Sequence, residues 1–199
     1  MRSIRALSIT LFVLFTLAAC VPPPAVAPRG DRHPDLIIVR EFSFSPGIVR
    51  IDPSLGFSLY RGEPGAPPTE RAMTIGRAAA FNLADAVATR LTALGYDVVR
   101  SNTATAEPGG RALIVTGAFG WINAGYRHEG ASLSVVAEVD DQVGAAAPRQ
   151  LSAFNLDSRT VVEGSSSGDV DAAAERVGAA LARYAERLAR LNRWPAAPR

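Results

Sequence analysis

The sharpest pattern of reactive residues in this chain is Gly164-Ser165-Ser166-Ser167-Gly168, which has the G-x-S-x-G spacing of a serine nucleophile held on a turn between a strand and a helix. Acyl transfer at Ser166 would need a histidine base, which in that arrangement follows the serine in the chain. The two histidines, His33 and His128, both precede it. A Ser- and Gly-rich turn leading into Asp169 is also what the start of a helix requires, and these residues are read that way. Neither histidine has a second one at helical or strand spacing, so a metal site would need distant carboxylates to converge. Glu138, Asp140 and Asp141 lie near the end of an apolar alternation and read as an exposed, charged sheet edge that discourages aggregation. The expectation is a protein that is not an enzyme and carries no metal.

Two other groups suit binding. Arg176, Arg183, Arg187 and Arg190 recur at seven, four and three residues, which at about 100° per residue sets them along one side of a helix, next to its apolar stripe. Such a stripe can meet lipid phosphates or an acidic protein; as a plain solvated face it would also be satisfied, with Glu186 and Arg190 an i,i+4 pair. Trp121 and Tyr126, in the run Phe119, Trp121, Ile122 and Tyr126, form a possible contact patch, with packing in the core or hairpin as the alternative.

The amino terminus carries the one chemically specific feature. Arg2 and Arg5 precede an apolar run, Ala6 to Ala19, that closes on Leu17-Ala18-Ala19-Cys20. The run is too short to span a bilayer comfortably, and Val21-Pro22-Pro23-Pro24 stops any helix after it. A cleaved export signal is the better reading. The ending resembles the bacterial lipobox, which implies a diacylglycerol on the Cys20 sulfur, cleavage in front of it and a further acyl chain on the new amino terminus. No other cofactor is implied. Two or more chains, at about 0.8 kcal/mol per buried methylene, anchor a protein durably. In that resemblance the next residue sorts the product, and Val21 in place of an aspartate favours the periplasmic face of the outer membrane. Cys20 is the sole cysteine, so no disulfide is possible within the chain.

Removing Arg2 and Arg5 from the 21 basic residues leaves 19 against 19 acidic ones, so the basic balance belongs to the signal. With no basic run, zinc-finger spacing or aromatic-basic interleaving, a nucleic-acid partner is not expected. The expected organisation is a signal over 1–19, the modified cysteine with a Pro/Ala-rich tether over 20–34, a single domain over 35–194 and a loose tail over 195–199. In polyproline form the tether reaches roughly 40 Å, so the domain stays near its membrane. Arg29-Gly30-Asp31 in the tether is a three-residue match expected by chance.

Within the domain, Asp35–Phe42 is a β-branched run suited to a central strand. Ser43–Pro68 reads as a long, mostly irregular excursion with room for one short strand. A helix is predicted over Thr69–Leu94, with Leu83, Val87, Leu91 and Leu94 on one face and Gly95 as its cap. Strands are predicted at Tyr96–Arg100, Arg111–Asn123, Ala131–Asp141 and Leu151–Val162; in the third of these Leu133, Val135, Ala137 and Val139 alternate inward. The last helix, Asp169–Arg193, has Val170, Ala174, Val177, Leu181, Tyr184, Leu188 and Leu191 on one face, and docking onto the sheet is preferred to a coiled-coil dimer. The order β-α-β-β-β-β-α makes an α+β fold: a mainly antiparallel sheet of four to six strands with both helices on one face.

The lipobox, Leu36-Ile37-Ile38-Val39-Arg40-Glu41-Phe42-Ser43-Phe44-Ser45-Pro46, Leu94-Gly95-Tyr96-Asp97-Val98-Val99 and Leu113-Ile114-Val115-Thr116-Gly117-Ala118-Phe119 together resemble a proteobacterial lipoprotein family that carries a domain of unknown function. Members often have a longer glycine-rich turn than Gly125-Tyr126-Arg127-His128-Glu129-Gly130. In plan the domain is similar to periplasmic lipoproteins that activate cell-wall synthases or assemble secretion pores, a likeness of architecture that carries no function. The resulting expectation is a non-catalytic, lipid-anchored domain that contacts the membrane through its anchor and binds another envelope component, most simply a protein. The alternatives are a binder of an apolar or anionic small ligand such as a lipid, and a serine hydrolase using Ser166.

Overall fold

The computed structural model describes residues 34–51, 65–107, 109–125, 130–161 and 169–191, with the backbone alone at 190. Its elements are β1 (Leu36–Val39), β2 (Val49–Arg50), α1 (Pro68–Ala93), β3 (Val98–Arg100), β4 (Arg111–Asn123), β5 (Ser132–Val143), β6 (Arg149–Asp157) and α2 (Val170–Leu191). The fold is α+β, in the predicted order. The six-stranded sheet is mixed and runs β3-β1-β4-β5-β6, with β2 also paired to β4. The long strands β4, β5 and β6 are antiparallel, while β1 lies parallel to both β3 and β4.

The start of the domain follows β4 along nearly its whole length. Leu36–Val39 pairs with Ala112–Val115, Ser43 bridges to Ala118, and Val49 and Arg50 pair with Ile122 and Asn123. The excursion after β1 therefore holds a second short strand, as the sequence allowed. Residues 52–64 fall outside the described residues.

Burial explains the composition of the strands. Ile37 and Val39 join the helix-side core, whereas Ile38 packs on the other face with Ala106, Ala112 and Ile114. A strand covered on both faces reads as a continuous apolar run, which is why Leu36-Ile37-Ile38-Val39 shows no alternation. The segment 101–107 supplies the second cover. Its Ala106 N–H donates to Gln142 Oε1 (3.1 Å), and Gln142 Nε2 donates to the Ala146 carbonyl (3.2 Å). Farther along the sheet the β5 alternation is plain: Leu133, Val135, Ala137 and Val139 are fully buried, while Val136 is exposed.

Both helices pack on the same face. Leu83, Val87 and Leu91 of α1 are fully buried, and the predicted cap is present. Gly95 has φ +91°, its N–H donates to the Thr92 carbonyl and the Tyr96 N–H donates to the Leu91 carbonyl, so the chain reverses with the last helical carbonyls satisfied. Closing that turn delays strand pairing, so β3 begins at Val98 rather than Tyr96. The α2 start is capped by Asp169, whose Oδ1 accepts the Ala172 N–H at 3.0 Å. Ala173, Ala174, Val177, Leu181, Ala182 and Ala185 line the buried face of α2. At Gly178 an added Cβ would stand 2.6 Å from Ala86 Cβ, so the small residue is what lets the two helices meet this closely. Most of the apolar face of α2 is thus spent on α1 and the sheet, as docking predicts, but Leu191, read as part of that face, is exposed in the last turn, beyond the reach of the packed elements.

One expectation fails. Glu138, Asp140 and Asp141 are not an exposed edge, because β5 lies between β4 and β6 and the outer strands are β3 and β6. Asp141 is only 5% exposed and takes two hydrogen bonds from Arg111, Nε at 2.7 Å and Nη2 at 3.2 Å, with Arg149 Nη2 at 3.6 Å. An aspartate ending an apolar alternation looks solvated in sequence, but here it has a buried cationic partner on the neighbouring strand.

Candidate functional site

The cation-rich site forms at the end of the sheet where β4 finishes and β5 begins. Arg50, Asn123 and Ser132 are register partners across β2, β4 and β5, one row over three strands. Because the neighbours Ile122 and Leu133 point into the core, Asn123 and Ser132 point to the opposite side. The β4/β5 register shifts between Phe119 and Trp121, with Gly120 as the extra residue. This bulge keeps both Phe119 and Ile122 in the core and turns Trp121 outward, opposite Ser134.

After β6 the chain turns through Ser158 and Arg159. Ser158 extends the ladder, its N–H donating to the Leu133 carbonyl and its Oγ accepting the Leu133 N–H, both at 2.9 Å. The Arg159 guanidinium then lies 4.6 Å from the centre of the Trp121 ring, in cation-π contact. Its Nη2 and Nε donate to the two carboxylate oxygens of Asp157, at 2.6 Å and 3.0 Å. The Arg159 side-chain hydrogen bond holds the Asp157 carboxyl below its ordinary value, helped by the Arg159 backbone N–H and charge and opposed by partial burial.

These residues and Arg176 of α2 surround a cavity of about 690 Å³, lined also by Gly120, Gly130 and Ala131. Three arginines line it, and no acidic residue does among the described lining residues. Asp157 answers Arg159; for Arg50 and Arg176 there is no ion pair among the described residues. The remaining polar lining is biased toward donors. Asn123 Oδ1 already accepts the Gly125 N–H at 3.1 Å, leaving its amide N–H groups, and Ser158 Oγ already accepts, leaving its O–H.

Of the residues singled out in the sequence, Trp121 and Arg176 thus come together. Arg183 and Arg187 do not join them. Both are exposed on α2, and Arg187 lies 5.7 Å from the ring centre of Tyr184, which stacks on Phe154. The arginine stripe is therefore divided between the cavity and the outer surface. The Arg190 side chain, Tyr126, His33, His128, Ser166 and Cys20 lie outside the described residues. Arg50 and Arg159 had no signal of their own in the sequence; only strand pairing brings them to Trp121. Among the described residues no cluster of three metal-ligating side chains occurs, and no helix is long and apolar enough to cross a membrane.

No protein-family model and no curated protein matches the chain. Among solved structures it is similar to a Xanthomonas campestris protein assigned to the family DUF330, with 15% identity and TM-score 0.42 over 83% of this chain and 89% of that one. A protein described as uncharacterized matches at 10% identity and TM-score 0.35, over 81% of this chain and 97% of that one. A Helicobacter pylori protein named as a neuraminyllactose-binding hemagglutinin homolog matches at 10% identity and TM-score 0.27, over 80% of this chain and 86% of that one.

Proposed function

We propose that this chain is a non-catalytic binding domain, tethered by acyl chains on Cys20 to the periplasmic face of the outer membrane, that holds an anionic part of another envelope component. The localisation rests on the signal-like run and its Leu17-Ala18-Ala19-Cys20 ending. The binding role rests on one observation, the cavity bordered by Arg50, Arg159, Arg176 and Trp121. Guanidinium groups around a concave, partly apolar surface provide orientation through directed hydrogen bonds and affinity through charge. A volume of about 690 Å³ falls within the range of about 300–1,000 Å³ usual for small-ligand sites, which favours a bound small molecule as the second reading beside a protein partner.

Two measurements test the proposal. Cells fed a clickable palmitate should yield labelled protein in the outer-membrane fraction; an unlabelled chain recovered from the cytosol ends the anchoring half. A photo-crosslinking residue in place of Ser132 should capture an envelope component in intact cells, and combined replacement of Arg50 and Arg176 by Gln should abolish the adduct. Persistence of the adduct in that variant ends the cavity half.

A further inference from the structure

Building on that binding role, we infer that the cavity recognises a doubly charged phosphate group, gripped by Arg50 and Arg176, with Trp121 as an apolar wall braced by Arg159.

The assignment follows from how the charges are already used. Arg159 has its fork committed to Asp157 and its plane against Trp121, so it acts as a positioning residue for the ring. Two guanidinium groups remain without a carboxylate among the described residues. One carboxylate is saturated by a single bidentate arginine and would leave the second charge unanswered. A phosphate dianion offers three strong acceptor oxygens and two charges, enough for both. The secondary donors agree, since the Asn123 amide and the Ser158 hydroxyl are left with hydrogens to give. A ligand rich in acceptors completes this lining; a cation or a donor-rich ligand does not. The phosphate can be a free ester or a lipid headgroup, and the chemistry of the grip is the same.

The test uses the full chain purified in detergent and titrated calorimetrically with inorganic phosphate, glycerol 3-phosphate and acetate, and the chain in nanodiscs of phosphatidylcholine with or without phosphatidic acid. Binding of phosphate or of glycerol 3-phosphate without acetate is the expected result for a free ester. Heat only with phosphatidic acid assigns the same grip to a lipid. Arg50→Gln and Arg176→Gln should each weaken binding by about tenfold or more, and Arg50→Lys should restore only part of it, because an ammonium lacks the fork. Affinity for glycerol 3-phosphate should rise between about pH 5 and about pH 7.5, as its second proton leaves near about 6. Equal binding of acetate, affinity flat with pH, or undiminished binding by the Arg50→Gln/Arg176→Gln double variant overturns the assignment. If the Ser132 crosslink still depends on Arg50 and Arg176 while no phosphate compound binds, the phosphate assignment alone falls. If the crosslink is absent too, the binding role falls with it.

Discussion

The two ends of the sheet use arginine and aspartate in opposite ways. At one end Arg111 and Asp141, on β4 and β5, close on each other in a buried pair, with Arg149 completing the contact from β6. At the other, Asp157 pairs with Arg159, while Arg50 and Arg176 line an open cavity. The first arrangement turns its buried cation and anion on each other inside the fold. The second keeps cations next to space. Desolvation separates them: Asp141 and Arg111 have side chains 4% and 12% exposed, whereas Arg159 is 61% exposed. Buried pairs are costly to break, and exposed ones contribute little.

That contrast can be broken most forcefully at Asp141. Asp141→Ala removes the paired carboxylate to which Arg111 donates two hydrogen bonds and should lower the free energy of unfolding by about 3 kcal/mol, read by urea denaturation. Anion binding by the folded fraction should be unchanged. A shift in binding comparable to the stability loss would mean that the two ends are coupled. The cavity variant Arg50→Gln/Arg176→Gln should do the reverse: anion affinity falls by about a hundredfold or more, with stability moving by no more than about 0.5 kcal/mol.

A finer measurement uses Asp157→Asn. Loss of this ion pair, with Arg159 largely in solvent, should cost under about 1 kcal/mol of stability. With one negative charge removed beside the cavity, anion affinity should tighten several-fold. A weaker anion interaction would show that the brace on Trp121 matters more than the charge. The smallest expected effect is on pH. Because the folded Asp157 carboxyl lies below its ordinary value of 3.8, the stability that it contributes is fully present above that value. It is lost as pH falls through the lower folded value. The stability difference between the parent chain and Asp157→Asn should therefore shrink in acid below about pH 3.8; a difference that is constant down to about pH 2 would assign the effect to packing.

Local patterns carried most of the fold. The β4 strand has the limits read from its sequence, and α1 lies within a residue of its predicted span because its apolar spacing and Gly95 signal are both local. The β5 alternation named its buried face correctly, yet the same stretch misled at Asp141, since a strand's position in the sheet and the residue across from it are not written in its own periodicity. The parallel pairing of β2 with β4 needed long-range information of the same kind. The site was half legible. Trp121 and Arg176 were visible as an aromatic in a strand and a cation on a helix. Arg50 and Arg159 look like ordinary surface arginines until Asn123, Ser132 and Ser158 join their strands. Helical spacing suggested a common side for Arg176, Arg183 and Arg187, but it could not say that the first lies beside the sheet end while the others lie beyond it.

The long companion that residues 36–50 form with β4 bears on when the domain can assemble. Their β4 partners come more than seventy positions later, so a chain emerging with its amino terminus first cannot lay residues 36–50 along that strand until residue 123 has followed. Non-local pairing of this sort is slow to form. Under the export proposed above, with the chain threading a narrow pore before it folds, that delay would be useful: residues 36–50 would wait unpaired with β4 until the template strand had come through.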